Sequence, residues 1–257
     1  MSDSPAALIL AGSRGTDDPL AGYAGVSDKA LIVLGDTTIL ARVVAAVRAA
    51  GISRIGVSAN SAPVRAEAER CGAEPLVAAA GPSASAATAL DVLGTPLLVT
   101  TGDHALLRPE WMRDFVARVP AAADVAVLLA RRDAIEAAAP GSRRTYLHFA
   151  DGDWSGCNLF YLATPRAARV IALWQEVERD RKRPWRIVRR LGPGLLLRYL
   201  LGRLPLAEAI AHLGARAGVR AVAIAAPDGL AAVDVDKPAD LDFVRAHLDQ
   251  LRPATRT

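Results

Sequence analysis

Four short segments carry residues whose types and order suit a phosphorylated ligand. Leu8-Ile-Leu-Ala-Gly-Ser-Arg-Gly-Thr16 runs an apolar stretch into a Gly/Ser-rich loop. A strand opening into such a loop offers backbone N–H groups to phosphate oxygens, and Arg14 adds a guanidinium fork. The loop has neither GxGxxG nor GxxxxGK[ST], so neither a dinucleotide fingerprint nor a Walker loop is supported, and alone it is only a tight turn. Lys29, in Ser27-Asp28-Lys29-Ala30-Leu31, precedes an apolar run from which it can reach back over that loop. Asp103 follows directly on the apolar run Leu97–Thr101. That places it at the carboxyl edge of a sheet, where open α/β folds bind ligands, and a carboxylate there suits a hard ion such as Mg²⁺. Asp103 is too far upstream to cap a helix starting near Pro109. Asp234 and Asp236 alternate in Val233-Asp-Val-Asp-Lys-Pro-Ala-Asp-Leu241. On an extended segment they point opposite ways, so one can face the site and the other solvent. Asp240 falls in the first turn of the last helix, where the macrodipole favours an acid.

The basic residues sharpen this choice. Of 31 Lys and Arg, only Lys29, Lys182 and Lys237 are lysine; the other 28 are arginine. In so arginine-rich a chain, a lysine inside a motif marks a place that needs a compact ammonium rather than a planar fork.

The elements that must hold these residues can be read from periodicity and breakers. Strands are expected at Ala6–Ala11, Ile55–Val57, Glu74–Val77, Thr95–Thr101, Val125–Ala130, Thr145–Phe149, Leu159–Leu162 and Val219–Ala225. Helices are expected at Thr38–Ala50, Pro63–Arg70, from the Gly81–Ser85 turn through Leu90, and at Glu110–Val119, Arg166–Arg190, Gly194–Ala217 and Ala239–Leu251. The stretch from Gly12 to about Lys29 reads as a long loop. Strand–helix alternation argues for an α/β, Rossmann-like three-layer sandwich, with a mostly parallel central sheet and helices on both faces. We expect one domain over residues 1–257, with about 140–218 a helical acceptor-side insertion, subdomain or lid.

The order and spacing of the four segments resemble one family. The chain resembles the nucleotidyltransferases of the glycosyltransferase-A-like fold, the group of molybdopterin guanylyltransferase and the polyol- and sugar-phosphate cytidylyltransferases. LILAGSRGT is similar to the family's LAGGxGTR loop, Lys29 to its signature lysine, TTGDHALL to TxxDxPLL, and DVDKPADL to the closing D(T/x)PEDL. Ser13 stands at the second signature glycine, Asp17 at the signature arginine and Ala105 at the proline of DxP. The resemblance implies Mg²⁺-dependent nucleotidyl transfer from an NTP, with CTP favoured, to a small anionic phosphate acceptor, releasing pyrophosphate. It implies that Leu10, Ala11, Gly12 and Ser13 hold the nucleoside side of the NTP and Arg14 the β- and γ-phosphates. Lys29 would neutralise the α-phosphate and the incoming phosphate, and Asp103 and Asp236 would hold Mg²⁺. Asn60 and the Gly81, Ser83 and Ser85 turn would lie near the base. Asn158 would line the acceptor pocket. Arg144 and Lys182 are assigned to the acceptor by the positive charge of the middle segment, not by the resemblance. Transfer to molybdopterin, or a non-catalytic nucleotide-binding regulator, are the alternatives.

Charge and composition bound the rest. The net charge is +4, and 52% of residues are hydrophobic, enough for a packed core. Positive charge concentrates around Arg143, Arg144 and Asp180–Arg186, which suits an anionic acceptor. It forms no long stripe and belongs to no recognised nucleic-acid module, so nucleic acid is not an expected partner. No stretch reaches the roughly 18 apolar residues of a spanning helix, and a cytoplasmic location is expected. Arg186–Leu206 reads first as a core or dimer helix and second as a peripheral contact with an anionic bilayer. Cys71 and Cys157 read as free thiols, and His104, His148, His212 and His247 have no metal-ligand spacing.

Overall fold

The computed structural model describes residues 4–13, 18–142, 144–180 and 192–251. Arg14, Asp17, Arg143 and Lys182 lie outside the described residues. In chain order the elements are β1 (Ala6–Leu10), α1 (Pro19–Ala24), a 3-10 turn at Lys29–Leu31, β2 (Val33–Leu34) and β3 (Thr37–Thr38). Next come α2 (Ile39–Ala49), β4 (Ile55–Ala59), α3 (Ala62–Arg70), β5 (Glu74–Val77), α4 (Pro82–Leu93) and β6 (Leu97–Thr101). They are followed by α5 (Pro109–Ala117), β7 (Val125–Arg131), α6 (Arg132–Ala138), β8 (Leu147–Phe149) and β9 (Gly152–Leu162). The chain closes with α7 (Ala168–Asp180), α8 (Pro193–Leu200), α9 (Leu206–Arg216), β10 (Ala221–Ala225) and α10 (Pro238–Leu251).

The main sheet has the order β10-β7-β9-β6-β1-β4-β5, with β8 paired to β9. Strand β1 shows why its sequence is apolar throughout. Ala7 and Ile9 enter one buried cluster, while Ala6 and Leu8 enter the cluster on the other face. A strand covered on both faces has no polar alternation. Helices α2, α3, α5 and α10 contribute to the first cluster, and α4 and α7 to the second. Helix α2 illustrates the local logic. The Thr38 side chain accepts from the N–H of Ala41 at 3.0 Å, and Ile39, Leu40, Val43, Val44 and Val47 form its buried stripe.

Strand β1 pairs in parallel with β4 on one side and β6 on the other. The chain therefore winds outward through β4 and β5, then returns across β1 to continue at β6. That reversal opens a crevice beyond the carboxyl ends of β1 and β6. The ends of these two strands carry the Gly12–Ser13 loop and Asp103.

Three expectations change. The stretch from Gly12 to Lys29 contains α1, begun by Asp18, whose carboxylate accepts from the N–H of Leu20. Residues 132–138, where no element is expected, form the helix α6. The expected helical insertion contains an 11-residue strand, β9, antiparallel to both β6 and β7 at the middle of the sheet. Its turn-rich sequence, Gly152-Asp-Trp-Ser-Gly-Cys, hides the first half of that strand. Among the described residues no helix is long and apolar enough to cross a membrane.

Gly229, buried in a 3-10 turn at Gly229–Ala232, lies against α6 so closely that a Cβ there would overlap the Ala134 carbonyl. This contact seats the chain just before Asp234. Gly229→Ala should therefore destabilise the protein by about 1–3 kcal/mol in urea unfolding. Gly22→Ala, whose Cβ would meet nothing within 4 Å, should be neutral or slightly stabilising.

Candidate active site

The crevice is a cleft of about 1800 Å³. Leu10, Ala11, Gly12, Ser13, Lys29, Asn60, Gly81, Ser83, Ser85, Asp103, Asn158 and Asp236 all line it.

One wall is the loop after β1. Gly102 donates its N–H to Leu10 O at 2.8 Å, and a Cβ on Gly102 would come within 2.9 Å of Ala11 Cβ. Glycine is thus required where the ends of β1 and β6 touch. Asn60, at the end of β4, clamps the loop from the other side. Its Oδ1 accepts from Ser13 N at 3.1 Å and its Nδ2 donates to Ser13 O at 2.9 Å. Across the cleft, Ser85 Oγ accepts from Ala79 N at 3.0 Å, fixing the turn that opens α4.

The floor carries the charges. Asp28, buried, caps the Lys29–Leu31 turn by accepting from Ala30 N at 3.0 Å, which aims Lys29 across the cleft. Lys29 Nζ donates to Asp103 Oδ2 at 2.6 Å and to Asp236 Oδ1 at 2.7 Å. Burial alone would lower the Lys29 pKa. The charges of Asp103 and Asp236, with their hydrogen bonds, outweigh it and raise the ammonium above its ordinary value. Burial likewise opposes ionisation of Asp236, yet Lys29 first, then Arg144 and Lys237, hold it below the usual carboxylate range. Behind the floor His104 stacks on Trp111, and burial pushes its pKa down to about 4, leaving the ring neutral.

Two expected placements are revised. Asp234 does not face solvent: it lines the cleft, with its side chain 16% exposed. Residues 233–237 form no strand, so the alternation argument does not apply to them. Arg144, assigned to the acceptor, does not line the cleft. Its guanidinium is bound to Asp234 and, at 3.4 Å, to Asp240. No local signal could pair Arg144 with a residue 90 positions away. The cleft also includes Asp18, Asp28 and Gln175, which the motifs did not point to.

The loop after β1 and an ammonium–dicarboxylate floor thus meet at the switch point of a mixed α/β sheet. The chain belongs to the MobA-like NTP transferase domain family, whose model matches residues 7–193. It is similar to a hypothetical transferase from Thermus thermophilus, at 32% identity and a TM-score of 0.78, over 92% of this chain and 99% of that one. It shares its fold with a CMP-2-keto-3-deoxy-manno-octonic acid synthetase complexed with CTP, at 17% identity and a TM-score of 0.59, over 97% of this chain and 100% of that one. A nucleotidyl transferase from Methanothermobacter thermautotrophicus gives the same figures, 17% and 0.59, over 97% and 100%. No curated protein matches the chain. The protein is an enzyme that transfers a nucleotidyl group from an NTP.

Enzymes of this kind generally use a divalent metal ion. Among the described residues no group of three or more His, Cys, Asp or Glu could hold one. The donor set nevertheless fits. Asp103 Oδ1 is buried without a hydrogen-bond partner, and Asp236 meets the same Lys29 ammonium. Magnesium takes one or two protein carboxylates and fills its shell with substrate phosphates and water.

The Asp236–Lys29 contact has a definite pH signature in metal-free buffer. A lowered pKa means that its stabilisation is present above the ordinary aspartate value of ~3.9 and is lost as pH falls through the lower folded value. Urea unfolding should show wild type losing more stability than Asp236→Asn between about pH 4 and pH 2. Asp236 is 54% exposed, so the difference should stay below about 1 kcal/mol and shrink with added salt. Parallel pH profiles would show that the two groups are uncoupled.

Proposed function

We propose that the chain transfers a cytidylyl group from CTP to a small alcohol, polyol or sugar phosphate, releasing pyrophosphate, with Mg²⁺ as the divalent ion. The observation that carries this reading is the ammonium of Lys29 held between Asp103 and Asp236 on the cleft floor. An oxygen of the acceptor phosphate attacks the α-phosphorus in line. The new P–O bond forms as the bond to the bridging oxygen breaks, and pyrophosphate leaves with that electron pair. A phosphate monoester is already a nucleophile near neutral pH, so no general base is needed. The protein's work is positioning and charge neutralisation.

Backbone groups of Leu10, Ala11, Gly12 and Ser13 hold the nucleoside side, with the loop locked by Asn60. Lys29 meets the α-phosphate and the incoming phosphate, and Arg14 the β- and γ-phosphates. Asp103 and Asp236 would hold Mg²⁺, which neutralises phosphate charge when bound. Asn158 and Lys182 belong to the acceptor side, within the part of a single domain spanning about 140–218. Cytosine is supported by the small-residue turn Gly81-Pro-Ser-Ala-Ser85 and by the CTP in the octonic acid synthetase, a relative in fold. The family's MobA-like character favours a second reading, transfer to molybdopterin.

A pyrophosphate-release screen of four NTPs against phosphate monoesters and molybdopterin separates these readings. Release should need CTP and a small monoester together. Release only with molybdopterin overturns the acceptor proposed, and release only with GTP overturns the base. In the same assay Lys29→Ala should lower kcat by about 10²–10³, and Lys29→Arg should not rescue it. Asp103→Asn should abolish turnover with little effect on folding. Near-wild-type rates in Asp103→Asn at saturating Mg²⁺ would remove the proposed metal site.

A further inference from the structure

Asp236 carries no strand hydrogen bonds to fix its direction, because residues 233–237 form no regular element. Something else must aim it. Val235, fully buried, donates its N–H to Asp103 O at 3.0 Å, which ties the segment to the turn after β6. Asp240 Oδ2 accepts from the N–H groups of Asp236 at 3.2 Å and Lys237 at 3.0 Å. This is an acid at N3 reaching back to the start of α10. The remaining restraint is Asp234. Arg144 Nη1 donates to Asp234 Oδ1, and Nη2 donates to the Asp234 carbonyl at 2.9 Å. Asn158 Nδ2 donates to Asp234 Oδ2 at 2.8 Å.

These partners come from the acceptor half of the molecule. Asn158 sits in an irregularity of the β7–β9 pairing, with φ 51°, a left-handed conformation that asparagine tolerates better than most residues. The side chains of Arg144 and Asp234 are 10% and 16% exposed. Both oxygens of Asp234 therefore accept from protein donors.

We infer that Arg144, Asp234 and Asn158 form a positioning network that holds Asp236 toward Lys29 and Asp103, and so sets divalent-metal affinity from the acceptor side of the cleft. The inference rests on the metal role proposed for Asp103 and Asp236. Arg144 acts here as a two-pronged brace, which a lysine cannot reproduce because an ammonium lacks the fork. Outer partners of metal ligands typically alter metal affinity by about 10–100-fold when replaced.

The probe is Mn²⁺, followed by paramagnetic resonance with a non-hydrolysable CTP analogue bound to the full-length protein. Asp234→Asn keeps the side chain's shape, and Asp240 still partners Arg144, so the variant should fold. Asp234→Asn and Arg144→Lys should each weaken Mn²⁺ by at least about 10-fold. Their melting temperatures and their affinity for the analogue in EDTA should stay near wild type. Wild-type Mn²⁺ affinity in both variants, with Mn²⁺ lost in Asp103→Asn, overturns the network and leaves the metal site standing. Unchanged Mn²⁺ binding in Asp103→Asn overturns the metal site and the network with it. If Asp234→Asn lowers the melting temperature, Arg144→Lys alone decides the matter.

Discussion

A single ammonium group joins three distant parts of the chain at the floor of the cleft. Lys29 bonds Asp103, 74 residues away, and Asp236, 207 residues away. Two carboxylates this close repel unless a cation lies between them. The lysine meets that need, with its ammonium bonded to both carboxylates. The surroundings serve this contact. Asp28 caps the turn that presents Lys29, strand β6 delivers Asp103, and Val235 docks the Asp236 segment on the Asp103 turn.

The sheet makes such a meeting possible by its winding. Reversal at β1 leaves the ends of β1 and β6 as neighbours. Close contact of Gly102 with Ala11 seals the base of the cleft, and Asn60 fixes the height of the loop above it. Strand β9 enters between β6 and β7 from the opposite direction. It brings Asn158 into the lining of the cleft, so that wall is built into the same sheet as the ends of β1 and β6.

What could be read in the sequence follows from how local each signal is. Apolar runs such as Leu97–Thr101 and capped stripes such as Ile39–Ala49 announce themselves within a few residues. Residues Leu10–Ser13, Asn60 and Gly81–Ser85, which line the cleft, could be singled out because each closes a strand or opens a helix. The acceptor side was harder. The first half of β9 is rich in Gly, Asp and Ser, and its strand character comes from pairing with β7 and β8 rather than from propensity. Asp234 was misplaced because period-two alternation holds only for a strand, and its surroundings are set by Arg144 and Asn158 from distant sequence. Arg144 was linked to the acceptor through its charge, whereas its guanidinium is spent on the loop carrying Asp236.

The central claim is that Asp103 and Asp236 act with Lys29 as one site that couples metal to nucleotide. Calorimetric titration of a non-hydrolysable CTP analogue, with and without Mg²⁺, tests it most directly when run on wild type, Asp103→Asn, Asp236→Asn and the double variant. The account predicts that Mg²⁺ tightens binding in wild type, that either substitution removes this effect, and that the double variant loses nothing further. An undiminished Mg²⁺ effect in the double variant would contradict it.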